Sequence, residues 1–141
     1  MTEGTSVANF SLPINQQSLE NLASADYMTC TVEDAINEGS GVLHLNMNRR
    51  MAKVIMTLDD IDSQSKALGV KIGSYQGYTD GNVSSGTALV SPYVTIPEGG
   101  KAGQSGCKYT AIVAPGTANP NSTFVSLNYK GKIWYCRAFL Q

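Results

Sequence analysis

No apolar run in this 141-residue chain approaches the roughly 20 residues needed to span a bilayer, which excludes a transmembrane helix read from hydropathy. The first residues, MTEGTSVANF, have neither a basic stretch nor an apolar signal core. Taken alone they point to the cytoplasm unless an export signal has been removed. Charge is scarce as well, with charged residues at 15% and a formal balance of -1. Such a chain sets up no overall field that would draw in a phosphate backbone, so nucleic acid is not an expected partner.

Histidine is almost missing, His44 being the only one, and it sits inside a strand-like pattern with no serine or cysteine nucleophile nearby. Cysteine occurs three times, at Cys30, Cys107 and Cys136, with no C-x-x-C pair to suggest zinc or redox chemistry. The expectation is three unpaired, mostly buried thiols, the alternative being one disulfide between unassigned partners. Gly103-Gln104-Ser105-Gly106-Cys107 misses the spacing of a nucleophile elbow. Gly99-Gly100-Lys101 lacks the frame of a phosphate-binding loop. Asp59, Asp60 and Asp62 lack the glycine and distal glutamate of a calcium loop and read as a solvated connection. The pair Arg49-Arg50 with Lys53 is too small a cluster to predict anion binding. No catalytic residue, metal site or cofactor is expected.

What the chain does have is tyrosine, glycine, proline and short alternating apolar segments, the composition of strands and turns. Its length suits one domain over 1–141, with 1–25 irregular apart from a helical turn within Leu19 to Ala25. Strand candidates are Val42 to Met47, Met51 to Leu58, Gly69 to Tyr75, Leu89 to Ile96, Tyr109 to Ala114, Thr123 to Tyr129 and Ile133 to Leu140. Leu43, Leu45 and Met47 are odd-numbered, whereas Val54, Met56 and Leu58 are even. A bulge or short connection near Arg49 must separate the two phases. Lys130-Gly131-Lys132 predicts a tight hairpin with Gly131 at positive φ, and the stretches Gly77 to Gly86 and Gly99 to Gly106 read as mobile surface loops. Short strands at this spacing predict an all-β sandwich. Tyr75 and Tyr78, with Asn82, are the candidate glycan contacts, because an aromatic face can cover a sugar ring while an amide bonds its hydroxyls.

Four segments, in order, resemble the fimbrillin family of Bacteroides-type bacteria. Ala25 to Cys30 resembles S-D-[LF]-M-Y-A, and Leu45 to Val54 resembles L-x-F-x-H-R-M-A-K-[IV]. Tyr109 to Thr117 resembles Y-x-A-I-V-x-P-Q-T, and Phe124 to Tyr135 resembles the hairpin F-I-x-[IL]-x-x-x-G-K-x-Y-x-Y. Met47, Arg49 and Gly116 stand where the family has Phe, His and Gln. The resemblance implies a transthyretin-like Greek-key β-sandwich of about seven strands. It also implies an exported protein of the cell surface or outer membrane, whose partners are other fimbrillin subunits joined by strand donation. A tip adhesin binding surface glycans or proteins without catalysis is the alternative that the resemblance leaves open.

Overall fold

The computed structural model describes residues 10–30, 47–75, 77–79, 82–83, 87–115 and 123–137. In chain order the elements are β1 (Phe10–Ser11), α1 (Leu19–Ser24), β2 (Met28–Thr29), β3 (Asn48–Arg49), β4 (Ala52–Thr57) and β5 (Ala67–Tyr75). Then come β6 (Gly77–Thr79), β7 (Asn82–Val83), β8 (Thr87–Val90), β9 (Tyr93–Thr95), β10 (Lys108–Val113), β11 (Thr123–Tyr129) and β12 (Lys132–Arg137). A four-stranded sheet, β12-β11-β5-β8, faces a three-stranded one, β4-β10-β9, and all the strand pairs in both are antiparallel. This is the expected all-β sandwich.

Alternation builds the core. Along β4 the side chains of Ala52, Val54 and Met56 are half-buried while Lys53, Ile55 and Thr57 are exposed. Tyr109, Ala111 and Val113 of β10 point the same way, into the space between the sheets. One end of that space is filled by Ile72, Val90, Ala111 and Val113, with Leu12 and Ala25 from the N-terminal segment. The other end holds Leu58, Ala67, Val70, Cys107 and Tyr109, with Leu127 packed against them.

Several expectations need correction. The segment Leu89 to Ile96 is two strands rather than one: β8 pairs with β5 in the larger sheet and β9 with β10 in the smaller. Pro92, which has no N–H to give a ladder, sits between them, and the chain changes sheets there. Residues 10–25 are also less irregular than expected. α1 is the anticipated helical turn, capped by Ser18, whose Oγ accepts from the N–H of Asn21 at 3.1 Å. Ahead of it, β1 pairs with β6, and the stretch from Pro13 to Gln16 plugs the sheet-changing corner.

Gln16, fully buried, does most of that plugging. Its main-chain N–H donates to Ser91 O at 2.9 Å. Its side-chain Nε2 donates to Ile112 O and Pro13 O, both at 2.9 Å, while its Oε1 accepts from the N–H of Ile112 at 2.8 Å. The β9–β10 register places Thr110 opposite Tyr93, so Ile112 would next meet Ser91, but the chain has already turned away. The amide of Gln16 stands in for the missing strand residue, offering the same donor and acceptor.

The glycine-rich stretch 99–106 is pinned rather than loose. Gly103 O accepts from Ala67 N at 2.8 Å, Gly106 N donates to Leu58 O at 2.9 Å, and Gln104 Nε2 donates to Ser63 O at 2.9 Å. Gly77 to Gly86 is likewise not simply a loop, since β6 pairs with β1 on one side and β7 on the other. The break expected near Arg49 is present: β3 pairs with β2 in a separate ribbon, and β4 joins the sandwich after Arg50-Met51. Arg50 Nε donates to Thr29 Oγ1 at 2.7 Å and Arg49 pairs with Asp26 at 3.5 Å, so both cations serve the ribbon. The candidate strand Val42 to Met47, except Met47, lies outside the described residues, as does His44. All three cysteines are free, but only Cys107 is buried. Cys30 and Cys136 are exposed because one follows the surface ribbon and the other lies on a sheet edge, which corrects the expectation of mostly buried thiols.

Tyr109 gives the core a pH response. Desolvation pushes its phenol above the ordinary tyrosine range, the neighbouring Cys107 adds to this, and a backbone hydrogen bond from Gly103 opposes it slightly. A raised folded-state value favours the neutral form, so its stabilisation is complete below the unfolded tyrosine value, about 10, and is lost as pH rises through the folded one. Denaturant melts should therefore show falling stability above about pH 10, and Tyr109→Phe should flatten that fall. An unchanged slope in the variant would refute the assignment.

Candidate functional site

The C-terminal hairpin is where the sandwich is least finished. Lys130 and Gly131 both have positive φ, 53° and 74°, which is the twist a two-residue turn needs to join antiparallel strands directly, and Tyr129 pairs with Lys132 across it. The loop after β4 clamps this turn. Asp62 N donates to the Tyr129 hydroxyl at 3.0 Å, and the Asp62 carboxylate pairs with Lys130 at 3.2 Å, with the ammonium 5.4 Å from the centre of the Tyr129 ring. The N–H of Gln64 and then Lys130 lower the pKa of Asp62, while Asp62 foremost raises that of Lys130. Both groups are solvent-exposed, so this pair orients the turn more than it stabilises the fold.

β12 is a rim strand bonded only to β11 within its sheet. Register places Lys132, Trp134 and Cys136 beside Tyr129, Leu127 and Val125, on the core-facing side, and Ile133 and Tyr135 beside Asn128 and Ser126, on the outer side. Yet Ile133, Trp134 and Tyr135 are 60%, 57% and 55% exposed, so neither side of β12 is covered. The pair flanking a two-residue turn exchanges hydrogen bonds, and bonded pairs alternate along the ladder. The N–H and C=O of Ile133 and Tyr135 therefore point away from β11, along a rim that no other strand among the described residues occupies. An apolar strand with both faces and its backbone edge exposed is a template for another strand.

The sequence also singles out Tyr75, Tyr78 and Asn82. Tyr75 ends β5, Tyr78 lies in β6 opposite Phe10 and Val83, and Asn82 lies in β7 opposite Thr79. Tyr78 and Asn82 therefore lie on one short ribbon, where the register does not pair them, while Tyr75 ends a strand of the larger sheet. Ser105 is structural, its Oγ accepting from Ile61 N at 2.8 Å. Asp62 is committed to Gln64 and Lys130, and among the described residues no cluster of His, Cys, Asp or Glu is placed to hold a metal. The run Ile133-Trp134-Tyr135-Cys136 was the signal to follow. Four successive apolar residues read as a strand covered on both faces, and here Ile133, Trp134 and Tyr135 stay more than half exposed.

These features define a class: an all-β sandwich whose prominent surface feature, among the described residues, is an open, apolar strand edge. The chain belongs to the fimbrillin-like family, whose model matches residues 2–139. No curated protein and no solved structure matches it. Family membership supports a fimbrial-subunit role at the cell surface. Among the described residues no helix is long and apolar enough to cross a membrane.

Proposed function

We propose that this chain is a non-catalytic subunit of a bacterial surface fimbria that joins a neighbouring fimbrillin by strand addition at the free rim of β12. The observation that carries the reading is the exposure of Ile133, Trp134 and Tyr135 on both sides of a rim strand. An added strand would satisfy the outward N–H and C=O groups and cover the side chains on each side of the sheet. The reading treats 1–141 as one domain exported to the fimbria at the outer membrane.

The test is thermal unfolding of the chain mixed with synthetic terminal strands from neighbouring fimbrillins. A ligand of the folded state at 100 times its dissociation constant stabilises by about 2.7 kcal/mol, a readily measured rise in melting temperature. Tyr135→Pro removes one outward N–H without touching the bonds to β11, so the variant should fold and lose most of that rise. Absence of any rise across the peptides, or equal rises with and without the proline, would refute the reading.

A second reading, a tip adhesin that binds surface glycans, draws on Tyr78 and Asn82 on the β6–β7 ribbon and on Tyr75 at the end of β5, which precedes it in the chain. A glycan array probed with the chain and with Tyr78→Ala tests it, with binding lost in the variant as the expected result.

A further inference from the structure

We infer that the rim of β12 selects its partner by charge, accepting an extended segment of another protein in which two acidic residues bracket four apolar ones. The inference rests on the edge-pairing reading above and adds the chemistry of the incoming strand. β12 reads Lys132, Ile133, Trp134, Tyr135, Cys136, Arg137, a cation at each end and four apolar residues between. Among the described residues Lys132 makes no ion pair, whereas nearby Lys130 is held by Asp62. Directly opposed residues on adjacent strands lie about 5 Å apart, so opposite charges there attract and like charges repel. A strand in register with β12 thus places one acid against Lys132, apolar residues against positions 133–136, and a second acid against Arg137.

The chain does not itself provide such a segment. From Gly99 to Gln141 there is no Asp or Glu, so a second copy of β12 brings only more positive charge. The one pair of acids five positions apart anywhere in the sequence, Glu33 and Glu38, encloses Asp34 and Asn37 rather than an apolar run. A glycan is the poorer fit. Trp134 and Tyr135 are consecutive, so they face opposite sides of the sheet. A sugar ring can lie on one or the other, while a paired strand reaches both with its own alternating side chains.

Trp134 is the chain's only tryptophan, so its emission reports on this rim alone. The full chain is titrated with three soluble-tagged peptides that share one apolar core of four residues and carry Glu, Gln or Lys at both flanks. The Glu peptide is expected to blue-shift the emission and to bind roughly tenfold tighter than the Lys peptide at low salt, from two charge pairs. That preference should shrink at high salt as the charges are screened, and Lys132→Glu with Arg137→Glu should reverse it. The salt series on the unaltered chain stands even if the double variant folds poorly. Equal binding of all three peptides would overturn the charge rule while leaving edge pairing intact. Emission that no peptide moves, or that only a free oligosaccharide moves, would overturn both.

Discussion

Replacing Gln16 by alanine should cost about 3 to 5 kcal/mol, because the buried N–H and C=O of Ile112 lose their partners together and each orphaned group costs about 1 to 3 kcal/mol. For a domain whose total stability is about 5 to 15 kcal/mol, that is a large fraction, and it corresponds to a fall in melting temperature on the order of 10 °C. Gln16→Leu separates volume from hydrogen bonding. It refills the space and should still cost about 2 to 4 kcal/mol, since the peptide groups remain unpaired. Gln16→Glu adds a pH signature. At neutral pH its carboxylate would face two carbonyl oxygens, of Pro13 and Ile112, and only the protonated acid can donate to one of them. Its folded-state pKa would therefore be raised, and the variant should recover stability as pH falls. Urea melts of the three variants check this; a loss under about 1 kcal/mol in Gln16→Leu would show that water replaces the amide at no great cost.

The dependence on Gln16 explains a good part of what was and was not legible in the sequence. Strands bounded by turn residues and filled with alternating apolar side chains, such as 52–57, 108–113 and 123–129, were readable because one buried face imposes a period of two. The Lys130-Gly131 turn was readable because few residues tolerate its dihedrals. Gln16 was not, since a glutamine in a polar stretch beside Asn15 and Gln17 has no periodic context, and its role arises from a corner formed 75 residues further along at Ser91. The loop 99–106 was misread for a similar reason. Its glycines signal looseness in sequence, but Gly103, at φ 80°, is buried against Ala67, where no side chain fits. The candidate site was half legible. Glycine-flanked aromatics such as Tyr78 stand out in sequence as recognition residues, while the exposed Ile133, Trp134 and Tyr135 belong to an unalternating run that reads locally as a covered strand. Whether a strand is at a rim or in the middle of a sheet is decided by partners far apart in sequence, and no local pattern reports it.

Gly73→Ala is the second substitution with a large expected effect, and its direction runs against the usual one. In the interior of a strand, alanine is ordinarily favoured over glycine by roughly 0.5 to 1 kcal/mol. Gly73 sits in β5 between β8 and β11, opposite Leu89, and an added Cβ would fall onto the main-chain carbonyl of Thr123 at the start of β11. A carbonyl in a strand cannot swing aside as a long side chain can. The start of β11 must move instead, next to the register shift between Thr123 and Val125 that already marks its pairing with β12. The expected loss is about 2 to 3 kcal/mol, in the range of overpacked interiors. Gly69→Ala in the same strand is the control. Nothing lies within 4 Å of its added Cβ, and its φ of 56° alone sets a smaller cost of about 1 to 2 kcal/mol. Because β12 is held in its sheet only by β11, displacement of β11 should also reach the rim. Gly73→Ala should therefore weaken the strand addition proposed at β12 as well as global stability, whereas Gly69→Ala should lower stability and leave peptide affinity near that of the parent chain. Peptide titrations followed by Trp134 emission, run well below both melting transitions, distinguish the two. Equal affinities in the two variants would show that the rim is insulated from the packing beneath it.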